Sequence, residues 1–175
     1  IMAELAADLI ADNQFISLDT TSTVSYLPRY LKDKENLKIL TNSAQIALDC
    51  LDTLHSARIF CTGGWMSSFA RGFIGETARL RISEYHTDIV FFSARSFSLE
   101  HGITDVNEED AYLKQEMIKG ARKSVFLCDH TKFGQTSYRL VCAVDDFDCL
   151  VTDRRPDDIW LNRLEASGVE VIFPE

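Results

Sequence analysis

The residues of this chain that could do chemistry gather where apolar runs stop. Phe15-Ile16-Ser17-Leu18 reads as a short buried strand, and Asp19 and four hydroxyl residues, Thr20, Thr21, Ser22 and Thr23, follow at once. Helical spacing then begins at Val24, Leu27 and Leu31. A strand that stops in hydroxyls just before a helix can seat an anion. Free backbone N–H groups and the positive end of the helix dipole face the strand's C-terminal edge, and the hydroxyls add short-range donors. The same residues would also serve as an ordinary Ser/Thr helix cap, which needs no ligand.

Similar polar clusters follow the later apolar runs. Thr41-Asn42-Ser43 comes after Leu37–Leu40, and Thr62-Gly63-Gly64 after Arg58–Cys61. Ser93-Ala94-Arg95 follows Asp88–Phe92, and Asp129-His130-Thr131-Lys132 follows Ser124–Cys128. Each has a plain structural use. Thr41–Ser43 could cap the next helix, Gly63-Gly64 could make a tight turn or let backbone approach a ligand, and Lys132 could be a solvated surface lysine. Gathered at one edge, they would surround an anion with hydroxyls, bare backbone and an ammonium group.

The elements between the clusters would gather them. Met2, Leu5, Ala6, Leu9 and Ile10 share one helical face, and strand and helix then alternate. Helices are expected over about 22–31, 43–54, 73–84, 109–121 and 157–166, the last closed by Gly168. Pro28 sits inside the second helix, where a missing N–H argues for a late start or a kink. Strands are expected at 15–18, 37–40, 58–61, 88–92, 124–128, 148–152 and 169–173. Asp88–Phe92 lacks polar alternation, as a strand covered on both faces should. The pattern predicts an α/β fold, a mainly parallel sheet with helices on both faces. In such sheets ligands bind beyond the carboxyl ends of the strands.

Composition narrows the function classes. The 175 residues suit a single domain, with no repeat, low-complexity tract or linker. A net charge of −9 argues against unaided nucleic-acid binding, which needs clustered cations. No apolar run is long enough to span a membrane, and the N-terminus lacks a basic signal region. The five cysteines lie singly in apolar stretches and read as small buried hydrophobes in a reducing cytoplasm. The histidines are scattered without metal-ligand spacing, so neither a metal nor another cofactor is expected. A chain opening on Ile1, already in helical rhythm, reads as cut from something longer.

Leu18–Thr23, Thr41–Ser43, Gly63-Gly64, Gly75, Asp88–Phe91, Gly102-Ile103-Thr104, Lys114, Asp129–Gly134 and Val151–Asp153 occur in an order and spacing that resembles the C-terminal effector-binding domain of DeoR-type bacterial transcriptional repressors. The resemblance covers nearly the whole chain. It implies a sugar-phosphate-isomerase-like fold forming one sensor domain over residues 1–175, with the winged helix-turn-helix absent. It also implies a phosphorylated sugar or related metabolite as effector, DNA contact only through the missing module, and a homo-oligomer, dimer or tetramer. The site it implies comprises Asp19, Thr20, Thr21, Ser22, Thr23, Thr41, Asn42, Gly63, Gly64, Lys114, Asp129 and Lys132, with Arg95 either reaching the ligand or lying on a surface loop.

Two positions depart from the family pattern. Thr21 stands where glycine is usual, and threonine takes positive φ poorly. Ser93–Ser96 replaces a stretch that usually contains glycine. The related isomerases and deaminases would need two carboxylates, one after the fourth strand and one before the lysine aligned with Lys114. Ser93-Ala94-Arg95 and Leu113 stand there instead. Glu108, Glu109 and Asp110 read as a solvated first helical turn. The expectation is therefore binding without catalysis, with an isomerase- or deaminase-like enzyme as the alternative and a purely structural dimerisation module as the third class. Trp65, Phe69 and Phe73 suit either a subunit contact or the core.

Overall fold

Successive side chains of a strand point to opposite faces, so a strand covered on both sides is largely apolar where it is covered. The computed structural model, which describes residues 1–175, has such strands at its centre. In chain order the elements are α1 (Met2–Ala7), β1 (Phe15–Leu18), β2 (Lys38–Thr41), α2 (Ala44–Thr53), β3 (Arg58–Cys61), β4 (Trp65–Ser67), β5 (Gly72–Ile74), α3 (Glu76–Ser83) and β6 (Thr87–Phe92). They continue with β7 (Ser96–Ser98), β8 (Gly102–Asp105), α4 (Glu108–Gly120), β9 (Ala121–Leu127), β10 (Arg139–Cys142), β11 (Cys149–Val151), α5 (Asp158–Ala166) and β12 (Glu170–Ile172).

Seven strands form one parallel sheet in the order β12-β11-β9-β6-β1-β2-β3. Ile16, Leu18, Ile39, Phe91, Val125 and Leu127 face one core with Ala6, Ile46 and Cys50. The intervening Val90, Phe92, Phe126 and Leu150 face the other, with Ala78, Ile82, Ala111, Met117 and Leu164. Helices therefore cover both faces, as the unalternating run at Ile89–Phe92 requires. From β1 the chain moves to β2 and β3 on one side and later to β6 and β9 on the other, so the order reverses at the β1/β6 boundary.

Several expectations are corrected. The helix expected over about 22–31 is a 3-10 helix at Val24–Tyr30. Pro28 lies inside it and cannot donate the α-type hydrogen bond. The helix expected over 73–84 begins only at Glu76, because Phe73 and Ile74 belong to β5 and Gly75, at φ +87°, turns the chain between them. Two small antiparallel sheets, β10-β8-β7 and the β4–β5 hairpin, were not expected. Their strands have only three or four residues each, too few to carry a periodic signal. Most other elements form with ends displaced by about a residue. Cys61 on the edge strand β3 is exposed, whereas the other four cysteines are buried as expected. Trp65 and Phe69 are exposed, and Phe73 packs against the core.

Candidate functional site

The crevice of an open parallel sheet lies where the strand order reverses, because the loops diverge there. Here that is beyond Leu18 and Phe92, and a cavity of about 530 Å³ opens at this point. Thr20, Thr21, Ser22 and Thr23 form one wall, and Ser93, Ala94 and Arg95 form the next. Lys132, Lys114, Ser43, Gln45 and the hairpin turn at Phe69–Arg71 also line it.

The loop after β1 is not a helix cap. Thr23 occupies the cap position of the 3-10 helix, and its side chain makes no capping bond. Only Thr21 turns inward, its Oγ1 and N both donating to Asp19 Oδ1, at 2.6 and 2.9 Å. The hydroxyls and amides of Thr20, Ser22 and Thr23 make no hydrogen bond within the chain. Because the helix that follows is a seven-residue 3-10 turn, the donors a ligand would meet are these loop groups rather than a helix dipole. Thr21 keeps a negative φ, so the loop does without the conformation that a glycine there would permit.

Beneath the loop lies a buried ionic group. Asp19 Oδ2 accepts from Ser93 N at 2.9 Å, tying the β1 and β6 tips together. Lys114 Nζ is 2.5 Å from Asp105 Oδ2 and 3.9 Å from Asp19 Oδ2, and all three residues are buried. Full burial pushes the Asp19 carboxyl above its ordinary value, against the pull of Lys114, Thr21 and Ser93. Burial disfavours the Lys114 ammonium, but Asp19, Asp105 and Asp110 together hold its pKa above the usual lysine value.

Asp105 and Asp110, which sequence reasoning missed, line the cavity. Glu108 and Glu109 are exposed as expected, whereas Asp110 turns inward one helical turn before Lys114. That i,i+4 spacing was the available signal. Burial raises the Asp110 pKa to about 6, with Lys114 opposing and Asp105 and Asp19 adding to the rise. Between about pH 4 and 6 the folded chain keeps a proton that the unfolded chain releases, so stability falls as pH rises through that window. Asp110→Asn should make this slope shallower, leaving the part due to Asp19, and leave the protein more stable at pH 7 by about 1–2 kcal/mol, the shift being discounted for partial solvent exposure. Urea unfolding from pH 4 to 7 checks this, and a parent-like slope in the variant would contradict it.

Lys132 Nζ donates to Ser93 Oγ at 3.1 Å and lies 3.5 Å from Asp129 Oδ2. Asp129 itself does not line the cavity. Its Oδ1 accepts from the amide and hydroxyl of Thr131, capping the short turn that carries Lys132. Burial works against the Asp129 carboxylate, but Thr131 and Lys132 hold its pKa below the usual value. The neighbouring His130 pairs its Nδ1 with Asp153 Oδ2 at 2.6 Å.

Four more of the expected residues lie off the cavity. Thr41 Oγ1 accepts from Ser43 N, and Ser43 caps α2 by accepting from Ile46 N at 3.2 Å. Asn42 holds β5, its carbonyl accepting from Phe73 N at 2.7 Å and its Nδ2 donating to the Phe73 carbonyl at 3.1 Å. Gly63 and Gly64 follow β3 at the far edge of the sheet, both with positive φ. A side chain at Gly64 would collide with the Ile74 carbonyl, so this pair serves a tight turn against β5 and α3.

Sheet order, doubly covered faces and a polar cavity at the reversal point define a sugar-phosphate-isomerase-like α/β fold. Ribose 5-phosphate isomerase A from Methanocaldococcus jannaschii is similar over 75% of this chain and 52% of its own, with a TM-score of 0.53 and 16% identity. eIF2B beta from Chaetomium thermophilum is similar over 86% of this chain and 46% of its own, with a TM-score of 0.56 and 13% identity. At these identities the likeness concerns the fold alone. The family model of the DeoR C terminal sensor domain matches residues 1–154, and the chain belongs to that family. Over 99% of its length it is 33% identical to the HTH-type transcriptional repressor GlcR of Bacillus subtilis (strain 168) and 30% identical to the HTH-type transcriptional regulator GolR of Listeria innocua. It spans 66% and 68% of those proteins, about two-thirds of the length of the curated relatives it matches. No helix is long and apolar enough to cross a membrane.

Proposed function

We propose that this sensor domain binds a phosphorylated sugar, and that binding controls a winged helix-turn-helix lying outside these residues in a cytoplasmic homo-oligomeric repressor. Symmetric dimers suit operators built from two half-sites. One observation carries the ligand reading: the hydroxyls and amides of Thr20, Ser22 and Thr23 have no partner in the chain and line the cavity beside Lys132. The phosphate sits between this loop and the Lys132 ammonium, and Asp110 accepts sugar hydroxyls. Asp19, Lys114 and Asp105 hold the floor rigid rather than contacting phosphate. Gly63, Gly64, Thr41, Asn42 and Asp129 support the surrounding turns.

A thermal-shift panel of sugar phosphates and their dephosphorylated forms tests the reading. A ligand at a hundred times its dissociation constant should add about 2.7 kcal/mol of stability. No shift with any phosphorylated sugar would defeat it. Lys132→Ala should weaken the phosphorylated member of a binding pair by about tenfold or more, through loss of a charge-assisted bond, and barely affect the dephosphorylated one. Equal losses measured by calorimetry would assign Lys132 to the scaffold.

The site binds without converting its ligand. The relatives' roles as transcriptional regulators support this, and Asp105 is engaged by Lys114. One observation favours a second, isomerase-like reading: Asp110, with its pKa near 6, is tuned for proton transfer. Product analysis after incubation with the panel's best binder separates the two.

A further inference from the structure

We propose that the effector carries two anionic groups, one at each end of a sugar-sized skeleton, and that Arg71 receives the second. The proposal rests on the sugar-phosphate reading above and narrows its ligand class. Arg71 and Lys132 both line the cavity, on different elements, with Arg95 and Lys114. The Lys132 ammonium lies over the tip of β6, anchored at 3.1 Å on Ser93 Oγ. Arg71 stands over β2, on the hairpin whose strand β5 is pinned to Asn42 by bonds of 2.7 and 3.1 Å. The strands β6, β1 and β2 are consecutive in the sheet, so the anchors of the two cations, Ser93 and Asn42, lie on either side of β1. The Thr20–Thr23 loop lies between them. One anionic group falls to Lys132 and the loop, and the other to Arg71.

Arg71 is also committed to this place. Gly72 beside it presses so closely on Thr20 that a Cβ there would meet the Thr20 methyl and the Asn42 carbonyl. Arg71 N donates to the Ser67 carbonyl at 2.8 Å, and its φ of +54° lies in the left-handed region that arginine rarely takes. The turn thus holds a cation at the cavity wall in a conformation that glycine would adopt more easily. No carboxylate lies within 4.0 Å of its guanidinium or of that of Arg95, although the chain has 27 acids against 18 bases. Among the cavity's acids, Asp105 is already paired with Lys114. Arginine matches phosphate and carboxylate alike by donating two parallel N–H bonds, so either group could fill the second station.

Calorimetry on the intact chain with two matched pairs tests this: glucose 6-phosphate against 6-phosphogluconate, and fructose 6-phosphate against fructose 1,6-bisphosphate. The first pair adds a carboxylate and the second a phosphate, so the preferred pair also names the group. In one pair or both, the doubly anionic member should bind about tenfold tighter or more. Arg71→Gly keeps the turn, since glycine takes positive φ without steric cost. In that variant the ratio should fall to about threefold or less, the loss falling mainly on the doubly anionic member. Equal binding within both pairs would overturn the second station and leave the sugar-phosphate reading standing. A preference that survives Arg71→Gly would overturn the role of Arg71. Failure of all four compounds at millimolar concentration, with no thermal shift from any phosphorylated sugar of the panel, would remove the sugar-phosphate reading and this proposal with it.

Discussion

Replacing Lys114 by methionine should lower the unfolding free energy by about 3–5 kcal/mol, the usual cost of leaving a buried charge without its partner. Methionine fills most of the lysine's volume, so the loss measures charge rather than a cavity. Two carboxylates depend on the ammonium: Asp105 at 2.5 Å and Asp19 at 3.9 Å, both buried. Without it, burial would drive both carboxyls to hold protons in the folded state at pH values where the unfolded chain releases them. The variant should therefore regain stability as pH falls from 7 towards 4, the sign expected when folded-state pKa values exceed unfolded ones. Adding Asp105→Asn should recover part of the loss at pH 7, because one of the stranded charges disappears. Urea unfolding of the parent, the single variant and the double variant at several pH values measures all three. A loss below about 1 kcal/mol at pH 7 would mean that water or rearrangement satisfies the carboxylates, contrary to their burial.

Ser22→Glu should abolish ligand-induced stabilisation while leaving the unliganded protein folded. Ser22 is exposed, its hydroxyl has no partner in the chain, and it lines the cavity. A glutamate there introduces a carboxylate where the phosphate is proposed to sit, with repulsion replacing a donor. The stabilisation at stake is about 2.7 kcal/mol with ligand at a hundred times its dissociation constant. The unliganded cost should stay within about 0.5 kcal/mol, as for most exposed positions free of packing. The variant separates the anion seat from a cap, because a solvent-facing cap would leave affinity untouched. Calorimetry on the parent and Ser22→Glu with the panel's best binder decides it. Unchanged affinity would move the phosphate away from this loop, towards Lys132.

Much of the architecture can be read along the chain, because the signals that carry it are local. Unalternating runs such as Ile89–Phe92 announce strands buried on both faces, and α4 and α5 carry their own helical rhythm. The hydroxyl run after Leu18 marks the loop that borders the cavity. The ordered motifs from Leu18 to Asp153 carry the family resemblance that the family match bears out. Where packing competes with periodicity, the reading weakens. Phe73 and Ile74 continue the pattern of the following helix, yet pairing with Trp65 and Met66 draws them into a hairpin.

Residue types and their spacing sufficed to define the fold class, the family resemblance and the loop at Thr20–Thr23. Strand order and the packing of later elements decided which polar clusters share a cavity. Gly63-Gly64 and Ser93-Ala94-Arg95 both follow strands and look alike as local signals. The first lies beyond β3 at the sheet's far edge, and the second beside β1 at the point of reversal. No local interaction encodes that difference, which comes from which strands pair across long stretches of chain. Asp105, Asp110 and Arg71 entered the cavity in the same way, carried by β8, α4 and the β4–β5 hairpin as these packed over the strand tips. Burial by residues distant in sequence then lifts the Asp110 pKa to about 6, whereas Glu108 and Glu109 beside it remain exposed.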